Sequence, residues 1–177
     1  MLRTSARLTV NMKNHMTHSI YQRWGEKAAE NSIALAAESR LLFDAGHLPR
    51  AYYLSHMATE ESAKSILLKT MGISGTPETE ISKVSKLVRD HKKKIEFLVT
   101  YAVAFSEELQ KSLGNLQADL IDHINDLKND TMYVSCKAES VVSPIDRVTD
   151  VDVEKYVQLA EALSQHAKSL LPRPSTD

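Results

Sequence analysis

From Trp24 to Leu171 the apolar residues of this chain return every three or four positions, and few glycines or prolines interrupt them. That recurrence constrains the fold more than any single motif. It puts an apolar stripe on each of several long helices and leaves little sequence for strands. Five glycines and five prolines in 177 residues are too few for a turn-rich β fold. The spacing predicts a first helix from Tyr21 or Trp24 to Asp44, stopped at Gly46 as a C′ residue with Pro49 beyond it. A second helix should run from Pro49 to Met71, with the proline in the first turn, where its missing N–H costs nothing. After "GISGTPET", Thr76 is a candidate cap for a helix that starts at Pro77.

The pattern is helical from Ile81 to Leu113, with Asp90 placed to cap a split near Arg89, and again from Leu116 to Lys128. Residues 133–143 lose the helical period and read as extended, and a last helix covers Val151 to Leu171. The fold class is therefore an all-α bundle of four to five helices with one short extended segment. One helical domain should span 19–171, between an N-terminal tail over 1–18 and a C-terminal tail over 172–177.

The formal net charge is −1, so affinity for nucleic acid would need a local basic patch. The single cysteine, Cys136, excludes an internal disulfide framework and suits a reducing cytoplasm. No apolar run reaches the ~20 residues that span a bilayer. The first residues carry Arg3, Arg7 and Lys13 with no acid before Glu26, a transit-peptide composition without amphipathic period. A tail, or an extension upstream of a start at Met12, fits as well. His15, His18, His123 and His166 lack ligand spacing, so neither a metal nor another cofactor is expected.

The second helix carries two adjacent glutamates at its centre. Leu54, Ala58, Glu61, Ser65 and Leu68 share one stripe, while Glu60 shares another with Met57 and Lys64. In one reading Glu60 and Lys64 form a surface ion pair worth about 0.3–0.5 kcal/mol, and Glu61 is partly covered. In the other, Glu61 is buried and has a cation or backbone donors as partner, because an unpaired buried carboxylate is too costly. Either way Glu60, Glu61 and Lys64 form the candidate polar network.

Three segments in order resemble the AbiV family of abortive-infection proteins, a branch of the HEPN helical bundles. They are an Asp-Ala-x-x-Leu turn leading into Ala-x-x-Glu-Glu-x-x-Lys (Asp44, Ala45, Leu48, then Ala58, Glu60, Glu61, Lys64), a His-Lys-x-Lys segment (His91, Lys92, Lys94), and a Tyr-Val element (Tyr133, Val134). The resemblance covers 29–144. It implies a bacterial, cytoplasmic phage-defence protein, a homodimer, acting on RNA or on a phage or translation protein. HEPN proteins are often metal-independent RNases with an Arg-Asn-x-x-x-His motif. Here the matching place reads Lys128, Asn129 and Tyr133: the spacing is kept, while Lys replaces Arg and Tyr replaces His. A tyrosine, with an ordinary pKa of about 10, is a weaker base at neutral pH than a histidine near about 6.5. Lysine lacks the planar fork that grips phosphate. These three residues suit RNA binding better than standard HEPN cleavage.

"KVSKLVRDHKKK" supplies the local basic patch, with Lys86, Arg89, Lys92 and Lys93 as candidate RNA contacts. A solvated charged face is the plainer reading of the same run. If chemistry occurs, His91 is the best general base, with Lys94 or Arg89 to neutralise a developing phosphorane. The structural alternative has His91 or Lys94 reaching across the bundle to Glu61. Arg40 to His47 and Arg50 to His56 also fit a loose Arg/His spacing, and both read as chance. Binding is favoured over turnover, with a divergent endoribonuclease using His91 and Lys94 as the alternative and a purely structural bundle as a third reading.

Overall fold

A computed structural model of the chain describes residues 19–105, 127–137 and 140–170. The expected terminal tails, the helix over 116–128 up to residue 126, and the 81–113 pattern beyond Phe105 lie outside the described residues. Within them the chain is helical apart from one small hairpin. The first helix, α1, runs Ile20–Asp44, and a reciprocal Ser19/Gln22 capping box starts it. It ends two residues before Gly46, whose φ of 77° lies in the left-handed region that glycine enters without a Cβ clash.

Helix α2, Leu48–Ile73, begins with proline inside its first turn, as the sequence implied. A turn of 3₁₀ helix, Glu78–Glu80, then leads into α3, Ile81–Arg89. Thr76 does not cap that helix; the residue ahead of the 3₁₀ turn is Pro77. Asp90 is extended (ψ 109°) and its Oδ1 accepts from the Lys93 N–H, so it breaks the helical pattern and starts α4, His91–Phe105. Residues 127–130 are helical. The extended segment resolves into antiparallel β1, Ser135–Lys137, and β2, Ser140–Val142, paired Cys136 to Val141. Tyr133 and Val134 precede the strands and are exposed. The last helix, α5, is Asp150–Ser169, capped by the Thr149 side chain.

Helix α2 is the central element, packed against α1, α4 and α5. α1 turns a row of small residues toward it: Gly25, Ala28, Ala29, Ser32, Ala36 and Ser39 are all buried. Small side chains let two backbones approach, and the serines then hydrogen-bond the neighbouring helix without needing space. Ser65 donates to the Gly25 carbonyl at 2.7 Å and Ser39 to the Ala51 carbonyl at 2.8 Å. The main core joins Ala63, Ile66, Leu98, Leu163 and Ala167. Each of its large side chains contributes roughly 1.5–3 kcal/mol by leaving water. Near the α1–α2 turn Tyr52 and Tyr156 meet edge to face at 4.6 Å. No described helix is long and apolar enough to cross a membrane.

Candidate functional site

The carboxylate of Glu60 is 1% exposed and takes four hydrogen bonds from three separate parts of the chain. His56, one turn earlier on α2, meets Oε1 through Nε2 at 2.7 Å. The first turn of α4 supplies two more partners. Nδ1 of His91 lies 2.5 Å from Oε2, and Nζ of Lys94 donates to the same oxygen at 2.8 Å. The helical turn at 127–130 brings Nζ of Lys128 to 3.2 Å from Oε1.

Burial alone would push the Glu60 carboxyl up. The hydrogen bonds from His56 and Lys94 outweigh it and hold the group well below the usual carboxylate range. An ionised carboxylate only accepts, so every partner must donate. His56 is buried and its pKa is lowered, chiefly by desolvation, so the imidazole is neutral and offers Nε2–H. His91 correspondingly offers Nδ1–H. In its neutral form the lone pair of Nε2 is left for something outside the cluster, and this side chain is 53% exposed.

Charge within the cluster does not cancel. Against the one carboxylate stand the ammonium groups of Lys94 and Lys128, with side chains only 5% and 12% exposed. Among the described residues the cluster therefore carries a surplus positive charge, with His91 as its exposed edge. Lys86, Arg89, Lys92 and Lys93 are exposed beside it at the α3–α4 corner. Asp90 re-aims the chain there, so the basic run is divided between α3 and α4. Lys83 pairs with Glu80 at 2.7 Å, and Lys93 lies 3.8 Å from Asp90.

Several expectations are corrected here. Glu60, and not Glu61, is the buried carboxylate, and His91 and Lys94 cross the bundle to Glu60. Glu61 instead pairs with Lys64 one turn along the same helix, both partly exposed. The apolar period could not separate the two glutamates, because α2 is covered on several faces: Ser55, Ala58, Ser62, Ala63 and Ser65 are all buried. What selects Glu60 is the arrival of cations from distant segments. Of the expected polar network only Glu60 belongs to this cluster.

His56, read as part of a chance spacing, is a member after all; the signal available was its i,i+4 relation to Glu60. Arg40, from the other chance spacing, pairs with Glu161 through two contacts of 2.9 Å. Lys128 reaches the cluster, whereas its companions Asn129, beside it, and Tyr133, beyond the helix, are exposed. Lys94 is pinned inward. No group of ligands suited to a metal ion occurs among the described residues.

A family model described as AbiV, within the HEPN group, matches residues 20–165. No curated protein and no solved structure matches the chain.

Proposed function

The chain belongs to the AbiV family of abortive-infection proteins, and we propose that it serves phage defence by binding RNA at the corner where α4 meets the Glu60 cluster. The supporting observation is the surplus of positive charge among the described residues of the cluster. One buried carboxylate gathers two lysines and two histidines on a protein whose net charge is −1. A surplus charge with poor access to water is costly, and an anion at the His91 edge offsets it. Phosphate suits that edge, because the exposed Lys86, Arg89, Lys92 and Lys93 extend the positive surface along a backbone. In this scheme Lys94 and Lys128 are positioning residues that fix the cluster, and His91 touches the ligand.

Fluorescence anisotropy with a labelled single-stranded RNA tests it. Binding should be saturable, weaken with salt at about −0.7 in log K per phosphate neutralised, and fall at least tenfold in Lys92→Glu/Lys93→Glu. Absence of saturable binding overturns the proposal.

A second reading, metal-independent cleavage, is favoured by one further observation: Glu60 holds the His91 ring with its acceptor nitrogen facing outward. That is the arrangement of a carboxylate-oriented general base. His91 would take the ribose 2′-OH proton as the 2′-oxygen attacks phosphorus and the 5′-oxygen leaves. Incubation of total bacterial RNA in EDTA decides this. New 2′,3′-cyclic phosphate ends made by the wild type and lost in folded His91→Ala support it. Intact RNA in both removes cleavage and leaves binding.

A further inference from the structure

A second feature lies at the N-terminal end of α2. A cavity of about 410 Å³ opens between the α1–α2 turn, the 131–132 turn and the segment around Ser143. That volume falls within the range of small-ligand sites. Its lining is mixed: His47, Arg50, Thr131 and Ser143 are polar, and Met132 and Ile145 are apolar.

Met132 and Ile145 are 39% and 54% exposed, so the cavity offers apolar surface to an occupant. Among the described residues no carboxylate lines the cavity, and none pairs with His47 or Arg50 there. An occupant with an apolar body and a negative group suits these walls.

The cavity and the Glu60 cluster share one structural element. The turn at 127–132 sends Lys128 to Glu60 and puts Thr131 and Met132 into the cavity, and the Thr131 hydroxyl donates to the Lys128 carbonyl at 2.8 Å. Along α2, Arg50 and Glu60 are ten residues apart, about 15 Å at 1.5 Å per residue. That is about four nucleotides of a stacked strand at 3.4 Å each. Tyr133, 69% exposed next to Met132, offers a ring on which an adjoining base can stack.

We infer that this cavity is a nucleobase subsite for the RNA strand held at the His91 corner. One unstacked base enters between Met132 and Ile145, with a flanking phosphate on Arg50 and His47. The inference rests on the RNA-binding proposal and adds to it a source of sequence preference, because phosphate contacts alone carry none.

Oligo(A), oligo(U) and oligo(C) octamers, titrated against the wild-type chain and against Met132→Ser/Ile145→Ser, test it. Both positions are exposed, so the variant folds, and a matching thermal melt verifies that. The wild type should discriminate between the octamers by at least fivefold. The variant should lose that discrimination and about tenfold in affinity for the preferred octamer, with an unchanged salt slope. Discrimination that persists in the variant, or is absent from the wild type, overturns the subsite while RNA binding stands. If no octamer binds at all, the RNA proposal falls and the subsite with it. Competition by the free nucleoside monophosphate of the preferred base tells a strand from a soluble nucleotide.

Discussion

Replacing Glu60 by glutamine removes one negative charge and almost no volume, so its cost isolates the electrostatics of the cluster. Four donors lose an ionised acceptor, and the glutamine NH₂ points a donor back at at least one of them. Lys94, 5% exposed, cannot turn to water, whereas Lys128, at 3.2 Å and 12% exposed, can relax part of the way. Breaking a buried charge pair by removing one partner typically costs about 3–5 kcal/mol. That whole range is expected here, set mainly by Lys94.

Glu61→Gln, one residue on, is the matched control. Its pair with Lys64 lies within one turn and is partly solvated, so the loss should be about 1 kcal/mol or less. Urea unfolding at pH 7 followed by circular dichroism reads both variants. With a slope near 2 kcal/mol/M, the Glu60→Gln midpoint should drop by about 2 M and the Glu61→Gln midpoint by less than about 0.5 M. Adding Lys94→Met should recover part of the Glu60→Gln loss, a coupling of about 0.5–3 kcal/mol. Equal midpoints for the two glutamine variants would refute the placement of Glu60 as the buried hub.

Acid should destabilise the fold from about pH 6.5 downward. His56 titrates lower in the folded chain than unfolded, so the unfolded state binds the extra proton first, and Glu60 adds its own loss as pH falls further below the ordinary carboxylate range. Melting temperatures between pH 7 and 5 should fall, and fall less in His56→Gln. At the alkaline end Lys69, buried and donating to the Ala167 carbonyl, is lowered by burial to about 8. Because the unfolded chain holds that proton up to about 10.5, stability should rise between pH 8 and 10 by up to about 3 kcal/mol, and Lys69→Met should abolish the rise. Gly25→Ala should cost about 1–3 kcal/mol in the same urea assay. A Cβ there would stand 2.9 Å from Lys69 Cγ and 3.1 Å from the Ser65 carbonyl oxygen, and the backbone neighbour cannot move aside cheaply.

The helical architecture was legible because it rests on local signals. Gly46, Pro49 and Asp90 mark real breaks, and the apolar period places α1, α2 and α5 to within a few residues. The hairpin at Ser135–Val142 showed only as a loss of period, since three-residue strands are too short to alternate visibly. The site was half legible. Glu60, His91, Lys94 and Lys128 all stood out as residue types, but nothing in one sequence says that positions 31, 34 and 68 residues away converge on a single carboxylate. Periodicity left the burial of Glu61 open, and tertiary covering of α2 buries Glu60 instead. His56 was discounted on its phase with Arg50, when its partner was Glu60 on its own helix. The cavity at the α1–α2 turn had no sequence signal, because its walls come from loops whose chemistry is ordinary taken singly.

The most direct test of the proposed interface follows the imidazole Cε1–H resonance of His91, assigned by its absence in His91→Ala, while single-stranded RNA is titrated into the labelled protein. Binding through the Glu60 cluster should shift that resonance saturably, with the same dissociation constant as anisotropy gives, and leave the His166 resonance in place. Saturable RNA binding that leaves the His91 resonance unmoved would contradict the assignment of this corner as the RNA site.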